Sequence, residues 1–238
     1  MNTESHLRII NIFPQLLGTY GDSGNALILK KRAQWFNLNC EIIEISPSEA
    51  VPIEGDIYLL GGGEDLAQKT ACELLLKNNV LKKVNNRKKF ILAICAGYQI
   101  LGLTFPGAKN EKIAGLGIID AVTIKGKKRA VGEICGTLSL DDRSIEVFGF
   151  ENHSGLTFLG PDQRPLSYLK FGVGNHDGQT DGILTPNIIG TYMHGPALAR
   201  NPDLANHILS VVTNSELRAN FKPDQYANRI KYEILKHH

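Results

Sequence analysis

At 238 residues, with 42% hydrophobic and 21% charged side chains, the chain is long enough to bury a core within one domain. Its formal net charge of +2 gives no ground for a nucleic-acid partner, and no apolar run reaches the roughly 18 residues a membrane span needs. The opening MNTESHLRIINIF has no signal-peptide pattern, and Cys40, Cys72, Cys95 and Cys135 show neither C-x-x-C nor metal-ligand spacing. They read as free thiols of a reduced, cytoplasmic protein without a metal site.

LRIINI (7–12) reads as a first strand. Asp22 then offers an N-cap to a helix over 23–37, with apolar positions at Ala26, Leu27, Ala33 and Trp35. CEIIEI (40–45) is a second strand, and DIYLLGGG (56–63) a third that ends in a glycine turn. EDLAQKTACELLLK reads as a helix. KKFILAI (88–94) is nearly all apolar, as a central parallel strand is, and AGYQILGL follows at once as a helix. This alternation predicts an α/β chain built on a doubly wound, mostly parallel sheet. Beyond about residue 115, GIIDAVTI, VGEICGTLSL, SIEVFGF and LSYLKFGVG are strand-like runs joined by turns; NIIGTYMHG is a further strand and NPDLANHILSVV a helix. The expectation is an antiparallel section added to the same sheet. A polar tail from about 223 carries a short helix with a mobile end. Without repeats, low-complexity segments or linkers, residues 1–238 read as one domain.

Cys95 stands at the carboxyl end of the apolar strand, where open parallel sheets bind ligands. The next helix begins at once, and a helix N-terminus favours thiolate over thiol. Ala93 and Gly97, two residues to either side, are small enough for a sharp strand-to-helix elbow. An isolated cysteine more often simply packs, but these features together point to a nucleophile. A nucleophile needs a base. His237 and His238 lie in the tail, His6 at the frayed start, His207 within a helix and His176 in a polar turn. His194 follows the strand IIGTYM at a loop start and is the preferred base; His153, in ENHSG, is the rival. Acyl transfer also needs oxyanion donors: the amide of Ala96 and that of Gly62 or Gly63 in the glycine turn are the candidates. That turn does not follow the G-x-G-x-x-G order, and no G-x-x-x-x-G-K-[ST] is present, so no recognisable ATP site appears.

LLGGGED, AICAGYQILG, GLGIID, FGFENHSG and GTYMHGP occur in that order across most of the chain. Together they resemble class I glutamine amidotransferases of the cobyric-acid-synthase-like branch. The opening TYGDSGNALILKKRA adds a likeness to the GatD-type glutaminase subunits of lipid II isoglutaminyl synthases, and the chain's free-standing length is in keeping with that. The resemblance implies a flavodoxin-like glutaminase fold. It also implies that Cys95 attacks the side-chain amide of L-glutamine while His194 shuttles the proton. It assigns substrate contacts to Gln99, Asn152, His153 and Ser154. Arg129, in KGKKRAVGE, matches an arginine near the glutamine; its bland alternative is a solvated basic turn with Lys125, Lys127 and Lys128. The family's usual acid two residues after the histidine is here Pro196, and a glycine common in the elbow is here Ala93. The free chain would thus hold a Cys–His dyad, completed by an acid from a partner, with Glu151 as an in-chain substitute. The partner implied is a MurT-like Mur ligase subunit in a heterodimer. That partner would hold ATP and Mg and reach lipid II, whose D-glutamate α-carboxylate is amidated. The rival acceptors are cobyric acid or a corrinoid a,c-diamide. Outside that class stand an idle binding subunit and a cysteine peptidase or hydrolase.

Overall fold

The computed structural model describes residues 6–140 and 143–237; residues 1–5 of the opening that lacks a signal-peptide pattern, and His238 of the tail, lie outside them. The first half alternates as its apolar runs dictate: β1 (Leu7–Ile12), α1 (Gly24–Trp35), β2 (Cys40–Ile45), β3 (Ile57–Leu60), α2 (Asp65–Asn78), α3 (Val80–Asn86), β4 (Phe90–Ile94) and α4 (Ala96–Leu101). Short strands β5 (Thr104–Pro106) and β6 (Lys112–Ala114) lead to two long ones, β7 (Ala121–Ser139) and β8 (Ser144–Leu159). Then come β9 (Ser167–Phe171), β10 (Thr180–Asp181), β11 (Ile183–Leu184), β12 (Ile188–Thr191), α5 (Ala197–Arg200), α6 (Pro202–Thr213) and α7 (Asp224–Leu235).

One six-stranded sheet runs β11-β12-β4-β3-β1-β2, parallel except for β11 at its edge. Its parallel strands, counted along the chain, have the order 2-1-3-4-5, a flavodoxin-like arrangement with its switch point between β1 and β3. Every residue of β3, β4 and β12 is buried, which is why those runs carry no polar alternation.

The antiparallel section does not extend this sheet. It forms a second six-stranded sheet, β10-β9-β7-β5-β6 with β8 paired to β7. The runs GIIDAVTI and VGEICGTLSL belong largely to one strand, and SIEVFGF continues through ENHSG to Leu159. The β7–β8 register breaks once. Lys125 pairs with Gly155 and Ala130 with His153, so residues 126–129 bulge out opposite Ser154 alone. The tail is anchored: Arg32 of α1 forms a buried ion pair with Asp224 of α7 at 2.6 Å and also donates to Asn206 of α6. Removing one member of a buried pair typically costs about 3–5 kcal/mol.

Candidate active site

Four loops leave the carboxyl ends of β1, β3, β4 and β12, which are neighbours in the sheet, and all four converge. The loop after β4 begins with Cys95. Its backbone sits at φ 50°, ψ −104°, a conformation a non-glycine residue holds only when its surroundings force it. The forcing contacts are visible. The Cys95 N–H donates to Thr191 O at 2.8 Å, and the Gly97 N–H donates to Gly61 O at 3.1 Å. A Cβ on Gly97 would stand 2.6 Å from Leu60 O, so the elbow closes only over glycine. Ala96 is the first residue of α4, where a backbone N–H has no partner within the helix.

His194 follows β12 and is pinned from the second sheet. Its N–H donates to Phe150 O at 2.9 Å and its carbonyl accepts from the Phe150 N–H at 3.2 Å. Its ring is buried, and Nδ1 lies 3.0 Å and 3.1 Å from the two carboxylate oxygens of Asp22. Nε2 is buried without a hydrogen-bond partner among the described residues. Burial alone would pull this imidazole's pKa down, but the Asp22 hydrogen bond, reinforced by Cys95, pushes it up to about 10. The buried carboxylate thus favours the protonated ring. The Tyr20 ring lies 4.8 Å from it at a 60° tilt and lines the cleft.

Asp22 is not a helix cap. Helix α1 starts at Gly24, after Ser23, and the carboxylate turns instead to His194 and to the Gly62 N–H, 2.8 Å from Oδ2. That geometry bears on two expectations. An in-chain acid occupies the His194 ring, where the sequence pointed to a partner's acid. The Gly62 N–H is engaged by that acid, and it is Gly63 that lines the cleft beside Cys95 and Ala96. Gly62 sits amid the constellation: a Cβ there would meet His194 Cε1 at 2.7 Å, Asp22 Oδ2 at 3.0 Å and Cys95 Cβ at 3.6 Å.

The rival base is occupied elsewhere. His153 is stacked on Tyr192 with centroids 3.7 Å apart; its Nδ1 lies 2.9 Å from Gly155 O and its Nε2 3.2 Å from Glu151. Glu151 also accepts the N–H groups of Val173 and Gly174, so it serves the second sheet and does not reach His194 by any hydrogen bond.

The cleft in front of Cys95 encloses about 50 Å³ and brings together Gln99, Arg129, Asn152, His153 and Ser154, as well as Gln68, Glu64 and Asp65. Gln99 is held from both ends: its Oε1 accepts from Gln68 Nε2 at 2.9 Å, and its Nε2 donates to Tyr192 Oη at 3.0 Å. Arg129 comes from the bulge. Its Nε donates to Asn152 Oδ1 at 2.5 Å, and Asn152 Nδ2 donates to Tyr20 Oη at 2.8 Å. Arg129 thus sits in the cleft wall, whereas Lys127 and Lys128 do not line it. Asp22, Tyr20 and Gln68 were not singled out from sequence. Asp22 and Tyr20 lay within TYGDSGN, but the local reading absorbed Asp22 as a cap.

Residues 8–202 match the CobB/CobQ-like glutamine amidotransferase domain family. The chain belongs to that family. Among its relatives, the Streptococcus pneumoniae lipid II isoglutaminyl synthase (glutamine-hydrolyzing) subunit GatD is 31% identical over 237 residues, covering 98% of this chain and 90% of that one. The Staphylococcus aureus subunit of the same name is 34% identical over 206 residues, 85% and 83% of the two chains. A probable cobyric acid synthase of Methanococcus maripaludis is 32% identical over 187 residues, which cover 74% of this chain but 37% of that protein. No helix among the described residues is long and apolar enough to cross a membrane.

Proposed function

We propose that the chain is the glutaminase subunit of a lipid II isoglutaminyl synthase and supplies ammonia to a Mur-ligase-like partner. The observation that carries this reading is a strained elbow cysteine beside a buried histidine held by Asp22, at a cleft whose lining includes both Arg129 and the carboxylates Glu64 and Asp65. An amino-acid head group, one carboxylate and one ammonium, needs both signs of charge in its site. The names of the two bacterial relatives, matched over most of their length, support lipid II as the acceptor.

In this reading Cys95 Sγ attacks the carboxamide carbon of glutamine. The S–C bond forms, and the developing oxyanion is met by the amides of Ala96 and Gly63. The C–N bond then breaks, and His194 gives its proton to the departing ammonia. Neutral His194 next takes a proton from water, which attacks the thioester; the S–C bond breaks, glutamate leaves, and the proton returns to the Cys95–His194 pair. The balance is glutamine and water to glutamate and ammonia. ATP and Mg, and the D-glutamate α-carboxylate of lipid II, belong to the partner in the cytoplasm. The cobyric acid synthase likeness sustains a second reading, a glutaminase serving a corrinoid. Glutamate release from L-glutamine, measured with and without the partner and each acceptor, tests both. Release that depends on Cys95 and is coupled to lipid II amidation is expected; coupling to a corrinoid would replace the first reading by the second. Cleavage of peptides or esters but not of glutamine would overturn both.

A further inference from the structure

An imidazole that gives and takes protons at one nitrogen must be held at the other, which fixes its tautomer and direction. On His194 the held nitrogen is Nδ1 and the holder is Asp22, with both side chains buried. Among the described residues no other acid is hydrogen-bonded to that ring. Two residues beyond His194 stands Pro196, and its ring packs against Gly24, where a Cβ would meet Pro196 Cγ at 2.4 Å. That contact brings the start of α1, and with it Asp22, against the histidine loop. Glu151 is committed to His153, Val173 and Gly174.

The Asp22 loop is also fixed from its other side. The Thr19 N–H donates to Gly62 O at 3.1 Å, and Asp22 Oδ2 accepts from the Gly62 N–H at 2.8 Å. A Cβ on Gly61 would meet Leu17 O at 1.9 Å, so the loops after β1 and β3 are in direct backbone contact. Tyr20 and Gly21 reach this path with φ of 62° and 76°.

We propose that Asp22 is the positioning residue of the site: it holds His194 with Nδ1 protonated, and through Gly62 it locks that imidazole to the turn that carries the oxyanion donor. The proposal rests on the glutaminase reading above and extends it, because the histidine then needs no acid from a second subunit. It also gives one carboxylate two tasks, orientation of the proton carrier and of the glycine turn.

Asp22→Asn separates the two tasks. The amide oxygen can still accept the Gly62 N–H, while the amide NH₂ turned to Nδ1 favours the wrong tautomer. The readout is the rate at which a glutamine analogue bearing a diazo ketone alkylates Cys95, followed by intact mass from neutral to alkaline pH. For the unmodified chain the alkaline limb is expected where His194 loses its proton, near pH 10. In Asp22→Asn the rate at neutral pH is expected to fall about 100-fold or more. The limb is expected to move down by about one unit or more, because the charge that favoured the imidazolium is gone. An unchanged rate overturns the proposal. So does a lower rate with the limb unmoved, since Asp22 would then only brace the turn. Absence of alkylation in the unmodified chain would instead count against the glutaminase reading. A measurement on the unmodified chain decides the proposal independently of alkylation and of the variant's folding. A downfield Nδ1 proton resonance, assigned by its loss in His194→Gln, is expected in NMR spectra, and its absence overturns the proposal.

Discussion

The parallel sheet and the long hairpin both reach the cleft, but they present side chains in opposite ways. At the sheet, Cys95, His194 and Asp22 are all buried; backbone bonds hold Cys95 to Thr191 and His194 to Phe150, and the Gly62 N–H holds the Asp22 carboxylate. At the hairpin, Arg129 is exposed on a four-residue bulge and is tied to Asn152 and Tyr20 by side-chain hydrogen bonds. Groups that exchange protons and form bonds need fixed geometry and little water, which buried strand ends supply. Groups that receive a charged head group need room to let it in, which a break in register supplies. The difference teaches that one cleft can divide chemistry and recognition between two sheets with different packing.

Two substitutions would sharpen or break that division. The larger effect is expected from Gly62→Ala. Its methyl group would intrude between His194, Asp22 and Cys95, and a misplacement of about 1 Å can cost about 100-fold in rate. The expected result is a fall of that order in kcat for glutamate release, measured on a variant whose melting shows it folded. A kcat near that of the unmodified chain would mean that the sheet end is not rigid, and the contrast would fail. A smaller effect is expected from Arg129→Ala. Loss of one charge-assisted hydrogen bond to a bound carboxylate, about 1.5 kcal/mol, should raise KM for glutamine by about 10-fold with kcat little changed. A fall in kcat at constant KM would instead give the hairpin a part in the chemistry.

The two regions also differed in how far the sequence disclosed them. Strands β1 and β2 are legible to the residue: β2 lies between the polar Asn39 and Ser46, β1 starts after the polar His6 and stops just before Phe13-Pro14, and β4 is apolar throughout. The elbow at Cys95 and the loop start at His194 followed from that reading. The hairpin was harder because its pattern is inverted. In the first half of β8 the apolar Ile145, Val147 and Phe148 are buried, but in the second half the buried positions are Glu151, His153, Gly155 and Thr157, while Leu156 and Phe158 on the alternate face are less buried. A rule that places apolar residues inside breaks such a strand into turns. The bulge at 126–129 likewise looked like the end of a strand, although β7 continues beyond it. Asp22 was missed for a different reason. An aspartate just before a helix satisfies the capping rule locally, and the proximity of the histidine loop shows only in tertiary contacts, Asp22 to His194 and Gly24 to Pro196. The added antiparallel strands were legible as strands, but a separate second sheet is a matter of pairing that no single run encodes.

The central claim is that Cys95 is aimed at glutamine. Its most direct test is the intact mass of the purified chain after exposure to the diazo-ketone glutamine analogue, with Cys95→Ala beside it. A single covalent adduct on the unmodified chain, absent from Cys95→Ala and suppressed by excess L-glutamine, is the expected result. No adduct, or an adduct that survives in Cys95→Ala, would contradict the claim.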